Sequence, residues 1–357
     1  MNNGQGADSI VVDTTTRIFQ DLGDPQTLNN TPDDSWIIPL WQALEENGLT
    51  LAWVPDDLGG AGADIADGFD VLQVAGAFAV PVALAETLLA GWLLGRAGLA
   101  SPQGPMTVAP VNDDERVRLG GDGRLSGRAG AVPFARDAAH LAVLAERDGV
   151  PAVALVEASA CAIAESAGLS GDPRDMVSFD GVAPLETRDA PEGLDWEALR
   201  LMGAAVRAQQ MAGALQGILD LSVEYAKERV AFERPIAKFQ AVQQNLARLA
   251  GETAAALAAA GSAADTMQQA QDFDAAVFLE VASAKIRVGE AAGEGAAIAH
   301  QVHGAIGFTQ EHILHRYTRR LWGWRDEFGS ESVWAVRLGR RVAAEGADAL
   351  WPMLAAR

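Results

Sequence analysis

The chain has 357 residues, 49% of them hydrophobic, and carries 27 Lys+Arg against 48 Asp+Glu for a formal charge of −21. That hydrophobic content supports a sizeable globular core in two or three units of ordinary domain size and excludes disorder. The acidic balance excludes general attraction to nucleic-acid backbones or anionic lipid, so no nucleic-acid partner is expected. A single cysteine, Cys161, removes disulfides, thiolate metal clusters and CxxC redox chemistry from consideration and fits a reducing cytoplasm. The opening MNNGQGADSIVVD has no basic stretch and no apolar run, and no later segment reaches about eighteen uninterrupted apolar residues. The expectation is a cytoplasmic protein, neither exported nor membrane-spanning.

From about Asp8 to Ala100 the pattern is helical: Trp36, Leu40, Leu44 and Leu49 recur near a turn apart, and an Ala/Leu/Val segment runs from Phe69 to Leu94. Between them lies a Gly-rich loop, Pro55 to Gly62. From Pro105 to about Pro191, short apolar runs such as Met106 to Val111, Leu141 to Leu144 and Val153 to Val156 alternate with Gly, Asp and Pro, the pattern of a small β domain. From Trp196 onward the apolar stretches are too long for strands, and Pro235 divides the first helix from the second. Apolar stripes at helical spacing (Leu215, Leu219, Val223, Ala226 and Val230; Phe239, Val242, Leu246, Leu249 and Thr253; Val277, Val281, Ala284 and Val288; Val333, Val336 and Arg340) predict a four-helix bundle. The fold class is therefore α+β, in the order 1–104 helical, 105–191 β and 192–357 bundle.

Four of the five histidines, His300, His303, His312 and His315, fall close together, but no HExxH and no Cys partner accompanies them, so no metal site is expected. A nucleophile elbow and GxGxxG are both absent. Two stretches are more specific. In one, Arg229, Phe232, Pro235, Ile236, Phe239, Gln240 and Gln243 place a guanidinium, two rings and amides at a helix end, a turn and the next helix start. A guanidinium can pair bidentately with a phosphate, and rings can stack on or wall off a purine. In the other, Gln301 to Thr309, small residues at Gly304, Ala305 and Gly307 would let a pyrophosphate approach the backbone. A capped helix and a Gly-rich loop would account for the same residues.

At these residues the chain resembles the acyl-CoA dehydrogenase family. Arg229, Phe232, Pro235, Ile236, Phe239 and Gln240 match its Arg-x-x-Phe-Gly-x-Pro-(aliphatic)-x-x-Phe-Gln signature, with Glu233 in place of Gly. Gln301, Gly304, Gly307, Phe308 and Glu311 match its second, with Ala305 for the second Gly, and Val54, Pro55, Gly59, Gly60 and Gly62 match the loop that closes its first domain. The resemblance implies a helical N-terminal domain, a middle β domain and a C-terminal four-helix bundle, with FAD held at a subunit boundary. It further implies oxidation of an acyl-CoA at Cα–Cβ by a glutamate base and the flavin, and an electron-transfer flavoprotein as acceptor. On this reading Arg229, Phe232, Phe239, Gln240, Gln301, Gly304 and Ala305 serve the adenine and pyrophosphate end of a neighbour's FAD.

The chain departs from the family pattern in two places. Where members that bind the flavin ring carry Thr-Glu-x-x-x-Gly-Ser-Asp and a Trp-(Ile/Ser)-(Thr/Ser) strand, it reads Met106 to Asp114 without Gly-Ser-Asp, then Ala131 to Arg136 without Trp. The family's base position falls on Phe328, the alternative base position on Gly203, and the adjacent Glu327 is the carboxylate left as candidate, ahead of Asp326 and Glu331. Such a pattern resembles the degenerate β subunit of the α2β2 acyl-CoA dehydrogenases of bacterial steroid side-chain degradation, which shares FAD with a catalytic chain and has no catalytic residue of its own. The alternatives are a self-contained homo-oligomeric dehydrogenase using Glu327, and a flavin-free scaffold or acyl-CoA-binding protein. Trp322, Trp324, Phe328 and Trp334, on a segment rich in Arg and Glu, are expected at a subunit contact.

Overall fold

The computed structural model describes residues 4–31, 33–112 and 114–355. Five helices come first: α1 (Gly4–Leu22), α2 (Pro25–Asn30), α3 (Ile37–Glu46), α4 (Ile65–Phe78) and α5 (Leu84–Arg96). Eight strands follow, β1 (Met106–Ala109), β2 (Val117–Leu119), β3 (Leu125–Pro133), β4 (His140–Arg147), β5 (Val150–Glu157), β6 (Ala162–Ala164), β7 (Arg174–Val182) and β8 (Glu186–Asp189). They form one sheet in the order β6-β7-β3-β2-β4-β5-β8, with β1 and β2 both parallel to β4 and the remaining pairs antiparallel. The bundle comprises α6 (Trp196–Glu228), α7 (Gln240–Gln269), α8 (Ala275–His303), α9 (Leu314–Asp326) and α10 (Glu331–Glu345), followed by α11 (Ala347–Ala355). A two-strand hairpin, β9 (Val230–Ala231) with β10 (Arg234–Pro235), joins α6 to α7.

Alternation along the strands divides the sheet between two cores, because successive side chains point to opposite faces. Ala142 and Leu144 of β4 join the large helical core, together with Met106 and Val108 of β1. Leu141, Val143 and Ala145 face a second core with Val117, Leu125, Val177 and Phe179. Thr87 fastens α5 to β1: its hydroxyl accepts from the Met106 N–H at 2.9 Å and donates to the Ala83 carbonyl at 2.7 Å.

Helix α6 is the axis of the molecule. Asp195 caps it by accepting from the Ala198 N–H at 2.9 Å, and every residue from Ala198 to Leu215 except Arg200 is buried. A helix buried all round cannot show one apolar stripe, so its hydrophobic pattern is nearly continuous. Helix α4 crosses α6 with the backbones almost touching. A Cβ on Gly76 would collide with the Gln210 carbonyl, and one on Gly213 with the Gln73 carbonyl. On α8, capped by Asp274 through the Ala276 and Val277 N–H groups, the expected stripe Val277, Val281, Ala284 and Val288 is buried.

On α10 the expected stripe faces the wrong way. Val333 and Val336 are 43% and 53% exposed and Arg340 is exposed, whereas Trp334 is fully buried and donates its indole N–H to the Phe328 carbonyl at 3.0 Å. A single large ring outweighs two valines in deciding which face a short helix buries. Trp324 and Phe328 are buried within the chain as well, so these rings are core packing rather than exposed anchors; Trp322 is half-buried beside His300. Gly213→Val should lower the unfolding midpoint steeply, by the equivalent of about 3 kcal/mol or more, since neither backbone can yield. Gly251→Ala, with nothing near its Cβ on α7, should raise stability by up to about 1 kcal/mol; thermal denaturation of the pair checks the crossing.

Candidate functional site

The first motif is built on the α6–α7 connection. Arg229 ends α6, its N–H bonded to the Tyr225 carbonyl at 2.9 Å, and the pairing of Arg234 with Ala231 leaves Phe232 and Glu233 as a two-residue hairpin turn. Both take positive φ, 51° and 65°, the backbone of a type I′ turn. Glycine would adopt that conformation freely, which accounts for the family's Gly where this chain has Glu233. The turn leaves Phe232 90% exposed, with its ring edge-on to Phe239 at 6.2 Å, while the Arg234 guanidinium lies 4.3 Å over the Phe239 ring. Gln240 opens α7 and is exposed, as is Arg229.

The second motif closes α8. Gly304 has φ 64° with nothing near the place of a Cβ, and Gln301, Gly304, Ala305 and Phe308 are all exposed. Tyr225, one turn before Arg229, ties the motifs together: it stacks on His303 at 4.5 Å and its hydroxyl donates to the His303 carbonyl at 3.3 Å. His303 donates from Nδ1 to the Ala299 carbonyl at 2.8 Å, and burial pushes its pKa down to about 4, so it is neutral at physiological pH. His300 stacks under Phe308 at 4.4 Å. His300 and His303 thus serve as buried spacers, and among the described residues no group of three His, Cys, Asp or Glu gathers in a way that could hold a metal ion. One exposed end of the bundle offers a guanidinium, two rings, two amides and an open glycine, a set that fits the phosphates and purine of FAD.

The flavin-ring half does not fit. Gly203 of α6 and Phe328, the positions that the sequence matches to the family's base, face each other, and a Cβ on Gly203 would overlap the Phe328 ring. Phe328 holds φ 53° and is buried. Beside it Arg207, four residues on from Gly203, donates from Nε to Glu327 at 2.7 Å and from its two terminal nitrogens to Gln210 and Glu86, each at 2.5 Å. All four side chains are buried. Burial pushes the Glu86 carboxyl up against the opposing pull of Arg207. Burial would lower the Arg207 pKa, but Glu327 and Glu86 more than offset it and hold the guanidinium charged.

Little space remains around this cluster. Cavities bounded by Pro133, Arg207 and Phe328, or by Pro133, Arg207 and Glu327, measure about 10 and 20 Å³, room for about one water each. At the end of β3, Ala131 and Phe134 both take positive φ, and the Arg136 beyond them is committed to Asp175, Glu165 and the Ser166 carbonyl. Asn112 donates to the Gly130 carbonyl at 3.1 Å; Asp113, part of the altered loop, lies outside the described residues. Glu327 is 9% exposed and paired with Arg207, and the cavity it lines is the one of about 20 Å³.

Sequence reasoning missed Glu86, Arg207 and Lys285. Their signal was a charge inside an apolar helical run, as in Leu84–Ala85–Glu86 and Ala284–Lys285–Ile286. Lys285, fully buried on α8, donates to the Arg325 and Trp324 carbonyls at 2.7 and 3.2 Å, capping the end of α9 from which Glu327 follows.

Comparison with known proteins agrees with this architecture. Residues 196–342 match the model of the acyl-CoA dehydrogenase C-terminal domain. The chain is 30% identical over 285 residues to the acyl-CoA dehydrogenase IpdE2 of Mycobacterium tuberculosis, covering 80% of each chain. It is 28% identical over 375 residues to FadE27 of the same organism, covering 92% of this chain and 98% of that one. Among solved structures, a chain of the ChsE4-ChsE5 complex from Mycobacterium tuberculosis superposes with a TM-score of 0.83 at 25% identity, covering 96% of this chain and 98% of that one. The chain belongs to the acyl-CoA dehydrogenase family.

Lys285 yields a test of the filled interior. Burial lowers its pKa from 10.5 to about 7, opposed by Glu327. Between those values the unfolded chain carries a proton that the folded chain lacks, so this group makes stability rise with pH, by up to about 1.4 kcal/mol per pH unit. Denaturant unfolding at pH 7 and pH 9 should show that rise in the wild type and a flatter dependence in Lys285→Met. Equal slopes would place Lys285 in water.

Proposed function

We propose that this chain is a subunit of an FAD-dependent acyl-CoA dehydrogenase that completes the adenine and pyrophosphate end of an FAD held mainly by a catalytic partner chain, and that it has no base of its own. The observation that carries the reading is the filled interior: Phe328, at the position the resemblance gives to a base, lies against Gly203, and beside it Glu86, Arg207 and Glu327 are buried and paired with one another. The exposed motifs at the other end of the bundle support the second half of it. FAD, when bound, supplies the hydride acceptor for Cα–Cβ desaturation of an acyl-CoA. Arg229 would pair with its phosphates, Phe232 and Phe239 would flank the purine, Gln240 and Gln301 would hydrogen-bond to it, and Gly304 and Ala305 would let the backbone close on the pyrophosphate.

The partner on this reading is a catalytic acyl-CoA dehydrogenase chain in an α2β2 assembly, with an electron-transfer flavoprotein as acceptor and the cytoplasm as location. The likeness to a chain of a two-protein complex supports a heteromer. A bulky steroid side-chain thioester is the proposed substrate class, supported by the steroid acyl-CoA dehydrogenase to which the fold also corresponds, with a TM-score of 0.83.

Purified alone, the chain should be colourless; co-expressed with a catalytic acyl-CoA dehydrogenase partner chain, it should gain stoichiometric flavin. Arg229→Ala should lower flavin content in that complex without lowering expression, because it removes an exposed cation and no packing. Unchanged flavin and full activity would overturn the assignment. Glu327→Gln should leave turnover within a few-fold of wild type, whereas loss of a true general base costs roughly 10²- to 10⁴-fold. Collapse of turnover with flavin retained would make this chain a self-contained dehydrogenase.

A further inference from the structure

In a chain with 48 carboxylates against 27 Lys+Arg, a group of cations left without acids stands out. Arg316, Arg319 and Arg320 lie on one face of α9, three and four residues apart. They meet the turn at 168–172 that leads into β7. Arg319 donates from Nε to the Leu169 carbonyl at 2.6 Å, and Arg320 from a terminal nitrogen to the Asp172 carboxylate at 2.6 Å. Arg174 borders the same turn: its Cδ is 3.6 Å from the place of a Cβ on Gly168, and it lines a small cavity with Ser170 and Asp172. Asp172 is the one acid available to these four guanidinium groups. The acids flanking the turn in sequence, Glu165 and Asp175, are held by Arg136, and those lining the cavity, Glu86 and Glu327, by Arg207. No ion pair among the described residues involves Arg174, Arg316 or Arg319.

Arg316 shows the shortage of counter-charge most directly. It is half-buried, and its Nε and that of Arg174 are out of water with no hydrogen-bond partner. Burial and the neighbouring Arg320 charge draw its pKa down, against the weaker pull of Asp172. Like charges on one helix face repel, and more so out of water. We propose that the cleft between α9 and the 168–172 turn binds a phosphate-class oxyanion, free or as a phosphate ester, through Arg174, Arg316 and Arg319. A carboxylate brings one charge and two oxygens, and Asp172 already supplies that to Arg320. A phosphate brings up to two charges and at least three acceptor oxygens, so several guanidinium forks can donate to it at once. The Ser170 hydroxyl, on the same turn, is a further donor. The cleft shares no residue with Arg229 or Gly304, and the proposal does not rest on the flavin reading.

The test is calorimetric titration of the purified full chain with inorganic phosphate at low NaCl. Saturable binding is expected, weakening as NaCl is raised and screening shortens. Arg316→Gln and Arg174→Gln should each weaken it by about tenfold or more, whereas Arg229→Ala should leave it unchanged, which separates this site from the proposed flavin end. Thermal unfolding supplies a second readout. In NaCl alone Arg316→Gln should unfold no lower than wild type, because it relieves repulsion and breaks no bond; a cation held for packing would lower the midpoint. Phosphate strengthens apolar burial in any protein, so the expected result is a larger phosphate-induced rise in wild type than in Arg316→Gln. Titrations with ADP and coenzyme A distinguish the sources: tighter binding than phosphate, lost in Arg316→Gln, marks an ester, and equal binding marks the free ion. Absence of saturable binding by all three overturns the proposal, as does binding that survives both glutamine substitutions. Hexaglutamate binding in place of phosphate overturns it too, making the cleft a contact for an acidic protein segment.

Discussion

Arg207 is the side chain on which the interior arrangement depends. It joins α5 through Glu86, its own helix through Gln210 and the segment after α9 through Glu327, all out of water. A buried ion cluster of this kind adds little net stability compared with apolar packing, but removing one partner leaves uncompensated charge and costs several kcal/mol. The cluster therefore acts as a fixing device. It holds the segment that carries Phe328, and Gly203, having no Cβ, lets that ring lie directly against α6.

From this follows a division of the molecule into two chemically distinct ends. Near Arg207 the interior is closed, with cavities of only about 10 and 20 Å³. At the far ends of α6 and α8, the polar and aromatic residues of both family motifs remain on the surface, braced from beneath by Tyr225, His303 and His300. His303 among them is buried and uncharged, and Arg229 lies exposed on the surface above.

The order of helices, sheet and bundle was legible from composition and period, since long Ala/Leu stretches cannot be strands and short apolar runs between Gly, Asp and Pro cannot be helices of ordinary length. The α8 stripe was legible because its four apolar residues outweigh any competing face. The α10 stripe was misleading because period alone does not weigh Trp334 against Val333 and Val336. The rings near the end of the bundle were misread for a related reason: composition typical of interfaces is also typical of a core built around buried aromatics.

By itself the sequence determined which chemistry the chain could offer. The spacing of Arg229, Phe232, Phe239 and Gln240, and of Gln301 and Gly304, is local, and local backbone rules carry such groups to a helix end and a turn. It also put Phe328 and Gly203, neither of them a carboxylate, at the positions where the resemblance expects a base. Only the tertiary structure decided that those two positions oppose each other, that Glu327 is consumed by Arg207, and that Glu86, more than a hundred residues away in sequence, completes the cluster. Pairings across that separation arise from the way α5, α6 and the segment after α9 pack together, and no local pattern of residues encodes them.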